Sequence, residues 1–167
     1  MKLVDPRSLS VDVWNVFNEK NALLTAGDRD GCNTMTVSWC QVGTLWNQPV
    51  CTVYVRPERY TYEFIDSAGF FTISILPVEH KKTKLYCGTK SGRDVDKFKD
   101  CGLTLAYGAG DAPYVEEAEL VLVCKKLYAQ DMDVSCVVED ASILPFYGEK
   151  GGWHRIYTGK IVEAYMK

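Results

Sequence analysis

Most signatures that would name a function at sight are missing from this 167-residue chain. There is no G-x-x-x-x-G-K-[ST] phosphate loop, no H-E-x-x-H zinc helix and no G-x-S-x-G nucleophile elbow. Gly108-Ala-Gly110 begins like a dinucleotide fingerprint but runs into Asp-Ala-Pro, which neither completes it nor opens a helix, so a Rossmann site is excluded. Histidine is scarce, with His80 and His154 standing alone. The seven cysteines form no C-x-x-C and have no histidine at zinc spacing, which argues against a metal site and a disulfide framework. Most of them read as small buried hydrophobes in a reducing cytosol. A Cys/His nucleophile pair is a chance-level signal with so many thiols. The opening MKLVDPRSLSVDVW lacks the apolar stretch of a signal peptide, and no run approaches the ~18 apolar residues that span a bilayer. The expected location is therefore cytoplasmic, without membrane attachment. A basic surplus is missing as well. The net charge is -3, which disfavours nucleic acid as a partner.

What is present is ordinary globular material, 47% hydrophobic and 25% charged, enough for one domain over residues 1–167. Six alternating or β-branched runs predict strands at Ala22–Ala26, Thr34–Cys40, Val50–Val55, Phe70–Leu76, Leu120–Leu127 and Arg155–Tyr165. Asp30-Gly31 and Gly151-Gly152 supply turn chemistry, and a short strand is expected near Val134–Val138. Pro57 and Pro77 each suit the first turn of a helix, the second running to about Tyr86. A third helix is expected over Asp94–Asp100, with Gly102 just past its end. The order β-β-β-α-β-α-α-β-β does not alternate as a doubly wound fold would. It predicts a mainly β protein, an antiparallel barrel of six or more strands with inserted helices.

Charge is the first functional hint. Seven bases lie between Glu79 and Lys99 (Lys81, Lys82, Lys84, Lys90, Arg93, Lys97, Lys99) against three acids, a local +4 inside an acidic chain. Lys81–Lys84 reads as a solvated helix face, whereas Lys90, Arg93 and Lys97 sit among glycines. Such focusing suits a small anion better than a polymer. Three segments extend the hint. In Asn33-Thr-Met-Thr-Val-Ser-Trp39, a strand would set Thr34, Thr36 and Ser38 on one face and Asn33, Met35, Val37 and Trp39 on the other. Taken alone, that reads as a half-exposed strand with threonine chosen for β propensity. In Val55-Arg-Pro-Glu-Arg-Tyr-Thr61, Arg56, Arg59, Tyr60 and Thr61 surround a helix N-terminus, a natural anion site. In Cys87-Gly-Thr-Lys-Ser-Gly-Arg-Asp-Val-Asp-Lys97, two glycines, two hydroxyls and three cations can wrap a phosphate. Together the three imply a phosphorylated aromatic cofactor.

NTMTVSW, VRPERYTYEFI, CGTKSGRDVDKF and the C-terminal GGWHRIYTGKIVEAY resemble the flavin reductase-like, FMN-binding split-barrel family, its flavoredoxin-type branch most of all, in order from about residue 20 to 165. The resemblance implies a homodimeric split barrel with FMN as cofactor at the barrel rim. It implies that Asn33, Thr34, Met35, Thr36, Ser38 and Trp39 line the isoalloxazine. Arg56, Arg59, Tyr60 and Thr61 would hold the ribityl phosphate, Ser91, Gly92 and Lys97 would close over it, and His154 would lie near the ring or a nicotinamide. The implied activity is an oxidoreductase that passes a hydride from NAD(P)H through the flavin to an acceptor. An FMN electron carrier reduced by a partner protein, and a flavin-binding module without turnover, stay open beside it. In every case the cofactor carries the chemistry, which accounts for the missing catalytic triad.

Overall fold

The computed structural model describes residues 1–20, 22–148 and 152–167. Its strands are β1 (Lys2–Val4), β2 (Ala22–Gly27), β3 (Cys32–Val37), β4 (Cys40–Leu45), β5 (Gln48–Val55), β6 (Phe70–Ile75), β7 (Leu105–Tyr107), β8 (Pro113–Val115), β9 (Leu120–Asp131) and β10 (Arg155–Met166). Helices α1 (Tyr60–Ser67), α2 (Lys81–Thr89), α3 (Lys97–Cys101) and the short α4 (Asp140–Ile143) are inserted between them. Eight strands form one antiparallel sheet in the order β3-β2-β6-β9-β10-β5-β4, with β1 also paired to β10, and β7 and β8 make a separate ribbon. The expected antiparallel split barrel with inserted helices is the fold observed.

The central strands are apolar on both sides because both faces of the sheet are covered. Leu24, Phe71, Ile73, Val53, Leu122 and Tyr157 fill the barrel interior. Their strand neighbours Leu23, Val121 and Val123 turn outward to meet Leu76, Cys87, Leu103 and Val115 beneath the helices and the β7–β8 ribbon. This double burial also sets the fate of β3, which carries the threonines noted above.

Several boundaries differ from the sequence expectation. The run predicted as Thr34–Cys40 ends at Val37, and a separate strand starts at Cys40. That strand, β4, is an exposed edge with no apolar alternation to betray it. It joins β5 through Trp46 and Asn47 at φ 50° and 55°, the left-handed pair that a tight hairpin turn demands. The β-branched Val134–Val138 segment is no strand. Asp133 caps it by accepting from the Ser135 N–H at 2.8 Å, and one helical turn forms over Val134–Cys136. Pro57 lies in a turn ahead of α1 and not in its first turn, since Arg59 occupies the cap. Pro77 leads into a single 3₁₀ turn, Val78–His80, and α2 then runs beyond Tyr86 to Thr89. The third helix starts late, at Lys97, because Asp96 accepts from the Phe98 and Lys99 amides at 3.1 Å each. Gly102, at φ 62°, ends it as expected. Gly151 of the Gly151-Gly152 turn lies outside the described residues.

Candidate functional site

Two adjoining cavities open where β3, the start of α1 and the loop after α2 converge. The smaller, about 90 Å³, is walled by Glu58, Arg59, Tyr60 and Thr61 from one side and by Thr89, Lys90, Ser91, Gly92 and Lys97 from the other. The larger, about 290 Å³, is walled by Thr36, Val37, Ser38 and Trp39, by Tyr54 and Arg56, and by Phe146 and His154. Met35 and Arg59 line both, so the two spaces meet at those side chains.

The small cavity is built for an anion. Lys97 is only 4% exposed, and its Nζ donates to the carbonyls of Thr34 at 2.8 Å and Cys87 at 2.9 Å. Burial holds its pKa below the ordinary lysine value; Cys87 pushes the other way and the nearby Arg59 charge pushes further down. Arg59 donates to the Gly88 carbonyl at 2.7 Å, tying the end of α2 to the start of α1. Among the described residues no carboxylate forms an ion pair with Lys97 or Arg59. Glu58, the carboxylate in the wall, pairs with Arg56 instead, and two neighbouring cations without an ion-pair partner of their own favour an anionic occupant. Helix α1 begins here without a side-chain cap, which leaves its positive end to the pocket.

Glycine at position 92 is a matter of space. A Cβ there would lie 2.1 Å from Asn33 Oδ1 and 3.0 Å from the Tyr60 ring. Asn33 cannot move aside freely, because its Nδ2 donates to Thr61 Oγ1 at 2.8 Å in a buried contact. The loop is folded on itself, with Ser91 accepting from the Asp94 amide at 3.1 Å and the Arg93 amide donating to Ser91 Oγ at 3.2 Å. Arg93 itself pairs with Glu63 and stacks 4.7 Å over Tyr60, so it buttresses the pocket from outside.

The large cavity is flat-walled and aromatic. Trp39 lies 4.6 Å from the His154 ring and edge-on to Phe146 at 5.6 Å. His154 is buried, with Nδ1 3.0 Å from the Tyr147 hydroxyl. Burial first, and then the Arg56 charge, lowers its pKa to about 4, with Glu58 opposing, so the imidazole is neutral at pH 7. Arg56 donates to the Phe146 carbonyl and lies 5.2 Å from the Tyr147 ring, which fixes the far wall.

Of the residues singled out from sequence, Met35, Arg59, Tyr60, Thr61, Ser91, Gly92 and Lys97 come together in the small cavity. Thr36, Ser38, Trp39 and His154 come together in the large one. Arg56, expected with Arg59 at the phosphate, lines the large cavity alongside Arg59 and does not line the small one. Asn33 and Thr34 line neither cavity. Thr34 is fully buried, and its hydroxyl is engaged by the Leu24 carbonyl at 3.1 Å and the Thr25 hydroxyl at 3.0 Å. The Thr36 hydroxyl likewise donates to the Lys84 carbonyl. Of the expected hydroxyl-lined face, Thr34 is taken up by the fold, whereas Thr36 and Ser38 remain in the wall of the large cavity. Tyr54, Phe146 and Thr89 are wall residues not assigned to the site from sequence. Thr89 had a signal as a hydroxyl of the Cys87–Lys97 stretch, and Tyr54 as an aromatic at an outward position of β5.

A third cavity, about 440 Å³, lies under the N-terminal segment against Leu9, Val11, Phe17, Leu122 and Ile161. Its wall is largely apolar and offers no paired cations, so size alone does not mark the functional site.

The model of the flavin reductase-like domain matches residues 15–167. The chain belongs to the flavin reductase-like domain family. No curated protein sequence matches it. Among solved structures, this flavin reductase-like chain is similar to the flavoredoxin of Desulfovibrio vulgaris (Miyazaki F), at 27% identity and TM-score 0.68, covering 88% of this chain and 69% of that one. It is similar to the flavoredoxin of Methanosarcina acetivorans, at 24% identity and TM-score 0.71, covering 96% and 75%. It also shares its fold with an FMN-binding domain of a flavin reductase-like enzyme from Shewanella baltica, at 22% identity and TM-score 0.68, covering 99% and 76%. The family and fold expected from the motifs are thus the ones found.

Proposed function

We propose that this chain is an FMN-dependent oxidoreductase that passes a hydride from NAD(P)H to the flavin and on to an acceptor. The carrying observation is Lys97, a buried cation beside Arg59 that forms no ion pair with a carboxylate among the described residues, opening on a space the size of one phosphoryl group. When bound, FMN supplies the two-electron chemistry. The protein's part is to hold and orient it. Lys97, Arg59 and the α1 N-terminus take the phosphate, and Ser91 and Gly92 bring backbone close to it. Trp39, Tyr54 and His154 wall the ring space, where a neutral imidazole accepts or donates a hydrogen bond without adding charge. A donor nicotinamide needs only a flat exposed approach, which the 42%-exposed Trp39 edge leaves available.

The same reading takes the protein as a cytoplasmic homodimer. Exposed Trp14 and Trp46, at 81% and 57%, support burial against a second copy. Sedimentation at micromolar concentration tests it. No described helix is long and apolar enough to cross a membrane.

The likeness to two flavoredoxins favours a second reading, an electron carrier reduced by a protein partner. Anaerobic addition of NADH or NADPH to the FMN-loaded protein separates the two. Rapid bleaching of the flavin supports the reductase, and bleaching only by a reduced protein partner supports the carrier. Protein that takes up no added FMN refutes both.

A further inference from the structure

Three of the seven cysteines meet inside one wall of the barrel. Cys40 faces Val53 and Cys51 faces Val42 across the β4–β5 ladder, so the two cysteines are diagonal neighbours on one face. Their sulfurs are 3.4 Å apart. Cys51 is fully buried, and Cys124 also bonds to it. Cys40 is only partly buried and lines a cavity of about 310 Å³ with Ser38, Trp39 and Tyr54, three residues that also wall the candidate ring cavity. One sulfur is therefore reachable beside the flavin site, and the other waits behind it. Nothing in the proposed flavin chemistry uses either.

We propose that Cys40 and Cys51 are a reversible dithiol–disulfide couple built into the wall of the flavin site, oxidised by low-molecular-weight disulfides. In the first step the Cys40 thiolate attacks R–S–S–R, forming a Cys40–SR bond and releasing RS⁻, which takes up the proton Cys40 gave up. In the second the Cys51 thiolate attacks the Cys40 sulfur, forming the Cys40–Cys51 bond and expelling the second RS⁻, which is protonated by the proton from Cys51. Two protein thiols are oxidised and one small disulfide is reduced to two thiols. The thiol contacts favour the second step, because hydrogen bonds from Cys124 and Cys40 hold Cys51 toward the thiolate that attacks. Burial pushes the Cys40 thiol up, so the first step draws on a minor Cys40 thiolate and is the slow one. Diagonal neighbours lie about 7–8 Å apart at Cα, beyond the usual disulfide span, so closing the bond draws exposed edge strand β4 toward β5 and reducing thiols reopen it readily.

The test is incubation of reduced protein with 2-hydroxyethyl disulfide, then alkylation and peptide mass mapping, with exposed Cys136 as the internal control for reagent. The expected product is a Cys40–Cys51 crosslink, two hydrogen masses lighter than the dithiol and erased by dithiothreitol. Cys40→Ser should abolish it, and Cys51→Ser, or Cys51→Ala if the serine does not fold, should stop at a persistent mixed disulfide on Cys40. A wild-type protein that accumulates that mixed disulfide, that links Cys51 to Cys124, or that leaves Cys40 untouched while Cys136 is fully modified overturns the couple. Mapping is run with and without FMN. A crosslink in a protein that refuses flavin leaves the couple standing and removes the cofactor reading; flavin uptake without a crosslink does the reverse.

Discussion

Replacing Lys97 by methionine separates the two ends of the site. Methionine keeps length and packing but removes the charge and the donors that reach Thr34 and Cys87 at 2.8 and 2.9 Å. In the unliganded protein Lys97 is already dehydrated, so a bound phosphate meets a cation whose desolvation cost was met on folding. The lost interaction therefore falls in the charged hydrogen-bond range of ~1.5–3 kcal/mol, toward its upper end. At ~1.4 kcal/mol per tenfold, FMN affinity should drop roughly 100-fold. Riboflavin shares the ring and lacks the phosphate, so its affinity should change less than about threefold on the same scale. Flavin fluorescence quenching, titrated with each flavin on wild-type and variant protein, reads both constants. Two orphaned carbonyls cost the variant stability, but removing a buried charge beside Arg59 offsets that. A thermal melt of the flavin-free protein checks that the variant is folded at the titration temperature. Equal losses for FMN and riboflavin would refute the phosphate assignment of the small cavity.

Arg56→Ala should show the opposite pattern, weakening FMN and riboflavin alike by about tenfold, because Arg56 braces Phe146 and Tyr147 on the ring side. Loss of FMN alone in the same titration would place Arg56 at the phosphate. Gly92→Ala drives a methyl into Asn33 and Tyr60 and should cost ~1–3 kcal/mol in urea unfolding, with FMN affinity falling as the loop shifts. An unchanged unfolding midpoint would show that the loop yields freely. The His154 pKa is about 4 in the folded protein against an ordinary 6.5, so its neutral form is the folded one. Its contribution to stability is complete above pH 6.5 and is lost progressively as pH falls towards 4. The loss is at most about 3 kcal/mol, less where water in the cavity screens the ring. His154→Gln should remove that component from the pH dependence of urea unfolding, and parallel curves for the two proteins would contradict it.

Strands β2, β5, β6, β9 and β10 were readable because they carry β-branched or apolar runs, and these persist where both sheet faces are covered. β4 was not, since an exposed edge strand selects for backbone pairing and not for side-chain pattern. The small cavity was legible because its cations, glycines and hydroxyls are crowded into two short stretches. The large cavity was less so. Phe146 and Tyr54 reach Trp39 only through the fold, and no local pattern connects residues so far apart in the chain. The threonines of β3 misled for a physical reason: alternation tells which residues share a face, not whether water or another element covers it. Thr34 and Thr36 turned out to bond the protein's own backbone. Arg56 and Arg59, three residues apart, share the large cavity, but only Arg59 reaches the small one, a distinction that sequence spacing does not resolve.

The contact of Gly92 with Asn33, and of Asn33 with Thr61, ties together strand, loop and helix positions that lie far apart in the chain. None of the three can drift by itself. A side chain at 92 requires a smaller residue than asparagine at 33, and that change deprives the Thr61 hydroxyl of its donor. Positions 33, 61 and 92 are therefore physically coupled in this chain, and a change at one of them is felt at the other two.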